Sequence, residues 1–180
     1  GGLLYHDLGI KFNSPTINTL IYGDEFVNFI ENLGIYINSD LMYDKSSKAY
    51  PIGLICPDDK KVVHVHFLHN KTFEEAKANW DRRKMRIDYN NMLVIYEHFN
   101  KFDDAIVSEF AKLNYNKVVF THKKFNNINS TKFIRACRKE QGYGTITKFK
   151  NKFSGKRNIY AFDIVKCINN IKTNKSIEQK

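Results

Sequence analysis

The sequence predicts an α/β fold of three α/β/α layers with a mixed, partly parallel sheet, and three observations carry that reading. Between Thr72 and Thr121 the patterns run helix, strand, helix, strand, an order that needs parallel crossovers and buries a sheet between helices. Upstream, Tyr50–Ile55 and Val62–Leu68 are strand-sized apolar runs on either side of Pro57-Asp58-Asp59-Lys60, the pattern of an antiparallel hairpin. The length of 180 residues fits one domain with a sizeable core. With no internal repeat and no proline-rich linker, residues 1–172 are expected to form a single domain, followed by a polar tail over 173–180.

Taken in order, Asn13-Ser14-Pro15-Thr16 reads as a helix start, with Ser14 able to accept from exposed backbone N–H groups and Pro15 placed where its missing donor costs nothing. That predicts a short helix to about Tyr22. Asp24 then caps a second helix whose Phe26, Val27, Phe29, Ile30 and Leu33 recur at helical spacing, with Gly34 as its stop. Thr72-Phe73-Glu74-Glu75 is a capping box, and its helix is expected to run to about Arg86. Met92–Tyr96 is a short buried strand, Asp103–Leu113 an amphipathic helix and Val118–Thr121 a strand. Beyond Phe125, Ser130 or Thr131 is expected to cap a helix through Arg138, Gln141–Gly144 to form a loop and Ile159–Asn169 to form a closing helix.

The net charge of +10 favours anionic partners such as phosphates or acidic lipid surfaces. From Lys123 to Arg157, eleven cations face Glu140 as the sole carboxylate, a basic stretch suited to an anionic membrane. It shows no nucleic-acid reading motif and no regular aromatic interleaving, so no nucleic-acid partner is expected. The longest apolar runs fall far short of the roughly 20 residues that span a bilayer, and no secretory signal opens the chain. Cys56, Cys137 and Cys167 are odd in number and lack CxxC spacing, as buried residues in a reducing compartment would be. The expected location is cytoplasmic, with peripheral contact at the inner face of the membrane.

Several phrases resemble the successive blocks of one bacterial family. They are Gly1–Gly9, Phe12–Asn18, Tyr50–Gly53, His66–His69, Glu75-Ala76-Lys77, Trp80–Ile87 and Lys117–Thr121. After Thr121 the likeness is looser and ends in Phe162–Val165. The family is one of exopolysaccharide biosynthesis proteins of unknown function, met in capsule, exopolysaccharide and lipopolysaccharide gene clusters. Some of its members are labelled acetyltransferases. The resemblance implies an α/β/α layered fold and a role in surface-polysaccharide assembly. The family pattern also has a strand and an Asn-Asn-Cys-type turn ahead of the double glycine, absent here; a site built on that turn would be incomplete in this chain.

The residues that carry chemistry are few. Arg82, Arg83 and Arg86 fall on one helix with Trp80, at spacings that bring guanidinium forks together, and paired forks grip a phosphate or carboxylate. The same arginines also suit the cationic end of any helix. His64-x-His66-x-x-His69 has the look of a metal-ligand spacing, but no Asp or Glu completes it locally, and closed sites need three or four ligands. No metal is expected. His66 and His69 sit at a strand end, where α/β sheets keep ligand crevices, and a histidine there can serve as general base or as a satisfied structural residue. His6 and Asp7 draw interest from position: Gly1 and Gly2 allow close approach to a ligand, and the Asn13-Ser14-Pro15-Thr16 segment offers an anion free N–H groups. Gly142-Tyr143-Gly144 and Ser154-Gly155-Lys156-Arg157 lack Walker spacing and read as ordinary loops.

These residues predict a sugar-modifying transferase, foremost a glycosyltransferase using a nucleotide-sugar donor and a lipid-linked saccharide acceptor. His6, His66 or His69 would be the base. Gly2, Asp7, Asn13, Ser14, Thr16, Trp80, Arg82, Arg83 and Arg86 would hold substrate. No resident cofactor is expected; the co-substrate is the nucleotide sugar, or acyl-coenzyme A if the reaction is polysaccharide O-acetylation. A third reading is a non-catalytic module that binds an anionic glycan or organises other enzymes of the pathway.

Overall fold

Apolar residues at period two and at helical spacing build two sets of elements, one in each of the two units, Gly1–Asp88 and Tyr89–Lys180, into which the chain divides. A computed structural model describes residues 2–47, 49–98, 104–135, 146, 157, 162–166 and 169.

In the first unit α1 (Gly2–Asp7) precedes α2 (Gly23–Glu31) and α3 (Leu33–Asn38). The Pro15 helix is not formed: residues 15–18 are a turn, and Leu20 instead makes an antiparallel bridge to His66. Asn18, at φ 63°, takes the left-handed conformation that Asn tolerates better than most residues, and it breaks the helical run. The position capping α2 is Tyr22, without a side-chain cap bond; Asp24 lies in the first turn, where a carboxylate still favours the helix dipole. Gly34 is not a stop. It sits inside α3, which continues because Leu33, Tyr36 and Ile37 are buried. Tyr36 is fully buried, and its hydroxyl is satisfied by donating to the Lys61 carbonyl at 2.6 Å.

The hairpin forms as expected, from β2 (Ile52–Ile55) and β3 (Val63–His66), with Ile52 opposite His66 and Ile55 opposite Val63. Its turn closes with the Lys60 N–H donating to the Pro57 carbonyl at 3.3 Å and Asp59 at φ 58°. A strand absent from the sequence reading, β1 (Leu41–Asp44), pairs antiparallel with β2 to give the order β1-β2-β3. The capping box on α4 (Phe73–Lys84) is present in modified form. Thr72 Oγ1 accepts from the Glu75 N–H at 3.2 Å, while Glu75 reaches back to the Lys71 N–H at 3.2 Å. The core centres on Trp80, 1% exposed, whose ring lies 6.2 Å from both Phe29 and Phe67. Cys56 is exposed rather than buried.

The second unit supplies the parallel part of the fold. β4 (Leu93–Glu97) and β5 (Asn116–Thr121) pair in parallel, with α5 (Ala105–Lys112) between them in sequence, as the crossover reading requires. Thr131–Phe133 is a third parallel strand, β6, in place of the start of a helix. The antiparallel and parallel parts expected of the sheet are thus both present, carried among the described residues by two three-stranded sheets. One face of the second sheet packs Val118 and Phe120 with Ile134 and Ile146. On the other, Tyr96 meets Phe110 of α5 at 5.4 Å. Residues 164–166 are helical; the rest of the expected closing helix, the Gln141–Gly144 loop, Cys137, Cys167 and the tail lie outside the described residues.

Gly53 tests the packing of the first sheet. A Cβ there would meet Leu41 Cδ1 at 2.5 Å and Phe67 Cε2 at 3.1 Å, and both neighbours are buried. Gly53→Ala is expected to lower stability by about 1–3 kcal/mol through overpacking, as read from the midpoint of urea unfolding.

Candidate functional site

The arginines of α4 are positioned by a helix that has no choice of orientation. Trp80 is locked in the core, so it contributes no surface to a ligand, and residues one turn later are carried to the edge of the unit. Arg83 Nη1 donates to the Ile17 carbonyl at 3.0 Å and its guanidinium lies 5.0 Å from the centre of the Phe12 ring. Arg86 Nη1 donates to the Phe12 carbonyl at 3.1 Å, and Arg82 Nη2 to Asn79 Oδ1 at 2.6 Å. Two arginines therefore clamp residues 12–17 against α4, and Arg82 stays outside that clamp.

All three use neutral oxygens. Asp81, the acid nearest them in sequence, is taken by Lys77 at 2.9 Å and Lys84 at 3.4 Å, and no ion pair among the described residues involves Arg82, Arg83 or Arg86. Burial, and then the charges of Arg82 and Arg86, push the Arg83 guanidinium below its ordinary value. Concentrated positive charge with no carboxylate partner among the described residues is the electrostatic arrangement of an anion site.

The clamped segment is polar. Ser14 Oγ and Thr16 Oγ1 lie 3.0 Å apart, and Asn13 Oδ1 accepts from the Tyr5 hydroxyl. The expected helix-start anion site is absent, because the chain turns here: Ile17 N–H is directed to the Ser14 carbonyl and Thr19 N–H to that of Thr16. Gly2 makes its close approach to this segment; a Cβ would stand 2.6 Å from Asn18 Oδ1.

The three candidate histidines have different surroundings. His6 is an exposed side chain with Nδ1 3.5 Å from Asp7 Oδ1, and His69 is exposed. His66 is buried, with the rings of Tyr22 and Tyr50 set edge-on at 5.1 and 5.8 Å. Its N–H and carbonyl are both bonded to Leu20 at 2.9 Å, which ties it to the segment the arginines hold. Burial lowers its pKa, so the ring is neutral at physiological pH, as a base must be. His64 faces another way chemically: its Nδ1 lies 2.9 Å from Glu25 Oε1, and its N–H donates to Glu25 Oε2 at 2.7 Å. No group of three or more His, Cys, Asp and Glu side chains that could hold a metal ion occurs among the described residues.

The rule that ligand crevices open at strand carboxyl ends belongs to parallel sheets, and β3 is antiparallel. In this chain the parallel ends are those of β4 and β5, and they carry titratable groups that sequence reasoning passed over. His98, 2% exposed, stacks on His122 at 5.5 Å, and its Nε2 is 3.6 Å from Asp104 Oδ1. Asp104 also pairs with Lys123, whose hydrogen bond holds the carboxyl below its usual range. On the opposite face Glu97 accepts from the Ile146 N–H at 2.8 Å, and burial pushes its carboxyl up to about 7. The signal was present: Glu97-His98 and Thr121-His122 directly follow apolar runs whose helical crossover marks them as parallel.

The fold and site together define an α/β protein with an arginine cluster beside a polar turn, its guanidinium groups without an ion-pair partner among the described residues. The chain belongs to the family described as a domain of unknown function (DUF1919), which matches residues 1–169. An uncharacterized protein of Haemophilus influenzae is 28% identical over 170 residues, spanning 94% of this chain and 80% of that protein.

Glu97 makes stability depend on pH in a set direction. The folded carboxyl keeps its proton to about pH 7, whereas its ordinary pKa is 4.5, so between those values the folded chain binds the extra proton. Stability therefore falls as pH rises through that window, by an amount on the order of 3 kcal/mol. Glu97→Gln should flatten this slope, as measured by urea unfolding at about pH 5 and about pH 8.

Proposed function

We propose that this chain is a sugar-modifying transferase of bacterial surface-polysaccharide synthesis that binds a nucleotide-sugar donor through its phosphates. The observation that carries the reading is the guanidinium trio on α4, which lacks any carboxylate partner among the described residues and lies against a turn bearing Asn13, Ser14 and Thr16. A pyrophosphate supplies the missing negative charge, with the exposed Arg82 and Arg86 as its forks, each offering N–H groups beyond the one it gives to Asn79 Oδ1 or to the Phe12 carbonyl. Ser14 and Thr16 offer hydroxyls to the sugar. The polysaccharide setting rests on the resemblance of the chain to proteins of capsule and lipopolysaccharide gene clusters.

His66 is the base. It is held at one end of the segment that the arginines hold at the other, and it is neutral because it is buried. In the transfer, an acceptor hydroxyl oxygen bonds to the anomeric carbon and the bond from that carbon to the nucleoside diphosphate breaks. The hydroxyl proton passes to His66 and the arginines take up the charge that develops on the leaving phosphate.

Thermal unfolding with UDP-, GDP- and CMP-linked sugars, acetyl-coenzyme A and inorganic phosphate tests this directly. A donor at about a hundredfold its Kd adds about 2.7 kcal/mol, a rise of roughly 5–10 °C at this chain length. Arg82→Ala/Arg86→Ala should abolish the rise, and His66→Gln should keep it while lowering kcat by about 100-fold or more. A rise with acetyl-coenzyme A alone replaces glycosyl transfer with acyl transfer, and no rise with any ligand overturns both.

A further inference from the structure

The first sheet has one face that the core leaves partly open. Leu41, Ile55, Val63 and Val65 turn to the core and are buried, so the residues that alternate with them point the other way. The register sets these in two rows, Met42–Leu54–His64 and Asp44–Ile52–His66, because residues directly opposite in an antiparallel pair share a face. In the second row Ile52 and His66 are buried, with the rings of Tyr22 and Tyr50 against His66. The first row is open: Met42 is 49% exposed and the His64 side chain 39%.

His64 is the oriented polar group of this face. Glu25, in the first turn of α2, accepts the His64 backbone N–H at 2.7 Å with one oxygen and meets its Nδ1 at 2.9 Å with the other. The carboxylate is thus anchored by the residue it orients. An ionised carboxylate only accepts, which puts the proton of the neutral ring on Nδ1 and leaves a lone pair on Nε2. That nitrogen has no hydrogen-bond partner among the described residues.

Charge decides what such a lone pair takes. β1, β2 and β3 carry no Lys or Arg, and residues 1–88 together hold twelve Asp and Glu against eleven Lys and Arg. An anion on this face would meet the carboxylates of Asp44 and Glu25 with no strand cation to offset them. Neither carboxylate is ready for a cation: Glu25 is held by His64, and Asp44 by the N–H and hydroxyl of Ser46, both at 2.8 Å. The open acceptor is a neutral lone pair, suited to an uncharged hydroxyl. Along the same strand Tyr22, edge-on to His66, is 42% exposed and offers a ring to apolar C–H groups. Hydroxyls and C–H groups on one uncharged molecule are the chemistry of a saccharide.

The geometry points to the open face of the first sheet as the site of an uncharged saccharide, with one hydroxyl donating to His64 Nε2 and the sugar ring lying along β3 toward Tyr22. His64 and His66 are two residues apart, roughly 6–7 Å along a strand, a spacing that one pyranose bridges with two of its hydroxyls. A sugar held by His64 therefore presents its next hydroxyl to His66. This deepens the transferase reading, on which it rests only for the sugar being the acceptor of the transfer. Glu25 and His64 are then positioning residues, and the proton still goes to His66.

The test is NMR of the full chain labelled with heavy nitrogen at histidine, titrated without nucleotide. The probes are the methyl β-glycosides of glucose, galactose and N-acetylglucosamine, with methyl glucuronide as the charged comparison. A neutral glycoside should move His64 Nε2 and the His66 ring, leave His6 and His69 in place, and bind about fivefold or more tightly than the glucuronide. His64→Phe, read at His66, should weaken that binding about tenfold, and Tyr22→Ala about fivefold. Glu25→Ala releases Nδ1, so part of the His64 ring should take its proton on Nε2 and binding should weaken with it. Circular dichroism and the unfolding midpoint establish that each variant is folded. No shift at His64 with any neutral glycoside overturns the proposal, as does a glucuronide that binds as tightly as the glucoside. So does a folded His64→Phe variant that binds like the parent. Arg82→Ala/Arg86→Ala should keep saccharide binding while losing the donor response, so either proposal can fail alone.

Discussion

The Arg83 guanidinium joins the two parts of the first unit that would otherwise have little reason to meet. Its Nη1 takes the Ile17 carbonyl while its central carbon lies over the Phe12 ring, so one guanidinium makes a hydrogen bond and a cation–π contact at once, a pairing that its several N–H donors on a delocalised cation favour over a lysine's point charge. The turn at residues 15–18, the bridge from Leu20 to His66 and the seating of α1 through Tyr5 and Asn13 all belong to the stretch that this contact holds. Arg83 in turn is fixed by Trp80 one turn earlier, locked between Phe29 and Phe67. The core therefore sets the direction of the helix, the helix sets the guanidinium, and the guanidinium sets the polar segment. This is why a core aromatic and a surface arginine fall in one short stretch of sequence: the first is structural, and its placement makes the second useful.

What could be read from sequence was what local physics decides. The hairpin, the capping box at Thr72 and the alternation from α4 to β5 each rest on turn chemistry, side-chain caps or periodicity within a few residues, and each is present. The misreadings occur where a local signal competes with distant pairing. Asn13-Ser14-Pro15-Thr16 suits a turn as well as a helix, and the bridge between Leu20 and His66 decides between them. Thr131 can cap a helix in isolation, yet it pairs with Val119 in a parallel ladder. β1 escaped notice because only Leu41 among its four residues is buried, so it shows no alternation to detect.

The candidate site was legible to a similar degree. Arginine spacing on α4 announced a cationic cluster, but not that Arg83 and Arg86 would spend one hydrogen bond each on backbone carbonyls. His66, His69 and His6 looked alike in sequence; burial separates them, and burial is a property of tertiary packing. The pair His98 and His122 is separated by 24 positions and is brought together by the β4 to β5 register. No reading of single residues could see it, although the strand-end rule applied to the parallel strands would have pointed there.

The bridge from Leu20 to His66 bears on the sheet as a whole. A three-stranded sheet has two open flanks, each a row of main-chain donors and acceptors able to recruit a foreign strand. On the β3 flank Leu20 occupies the amide and carbonyl of His66 with two bonds of 2.9 Å, so further growth is blocked at that point by the protein itself. The β1 flank is guarded differently, by being four residues long and by ending in Asp44, whose carboxylate is folded onto the backbone and hydroxyl of Ser46. The segment that carries the polar groups of the site thus also protects against self-association, and a change that loosened it would threaten solubility as well as ligand binding.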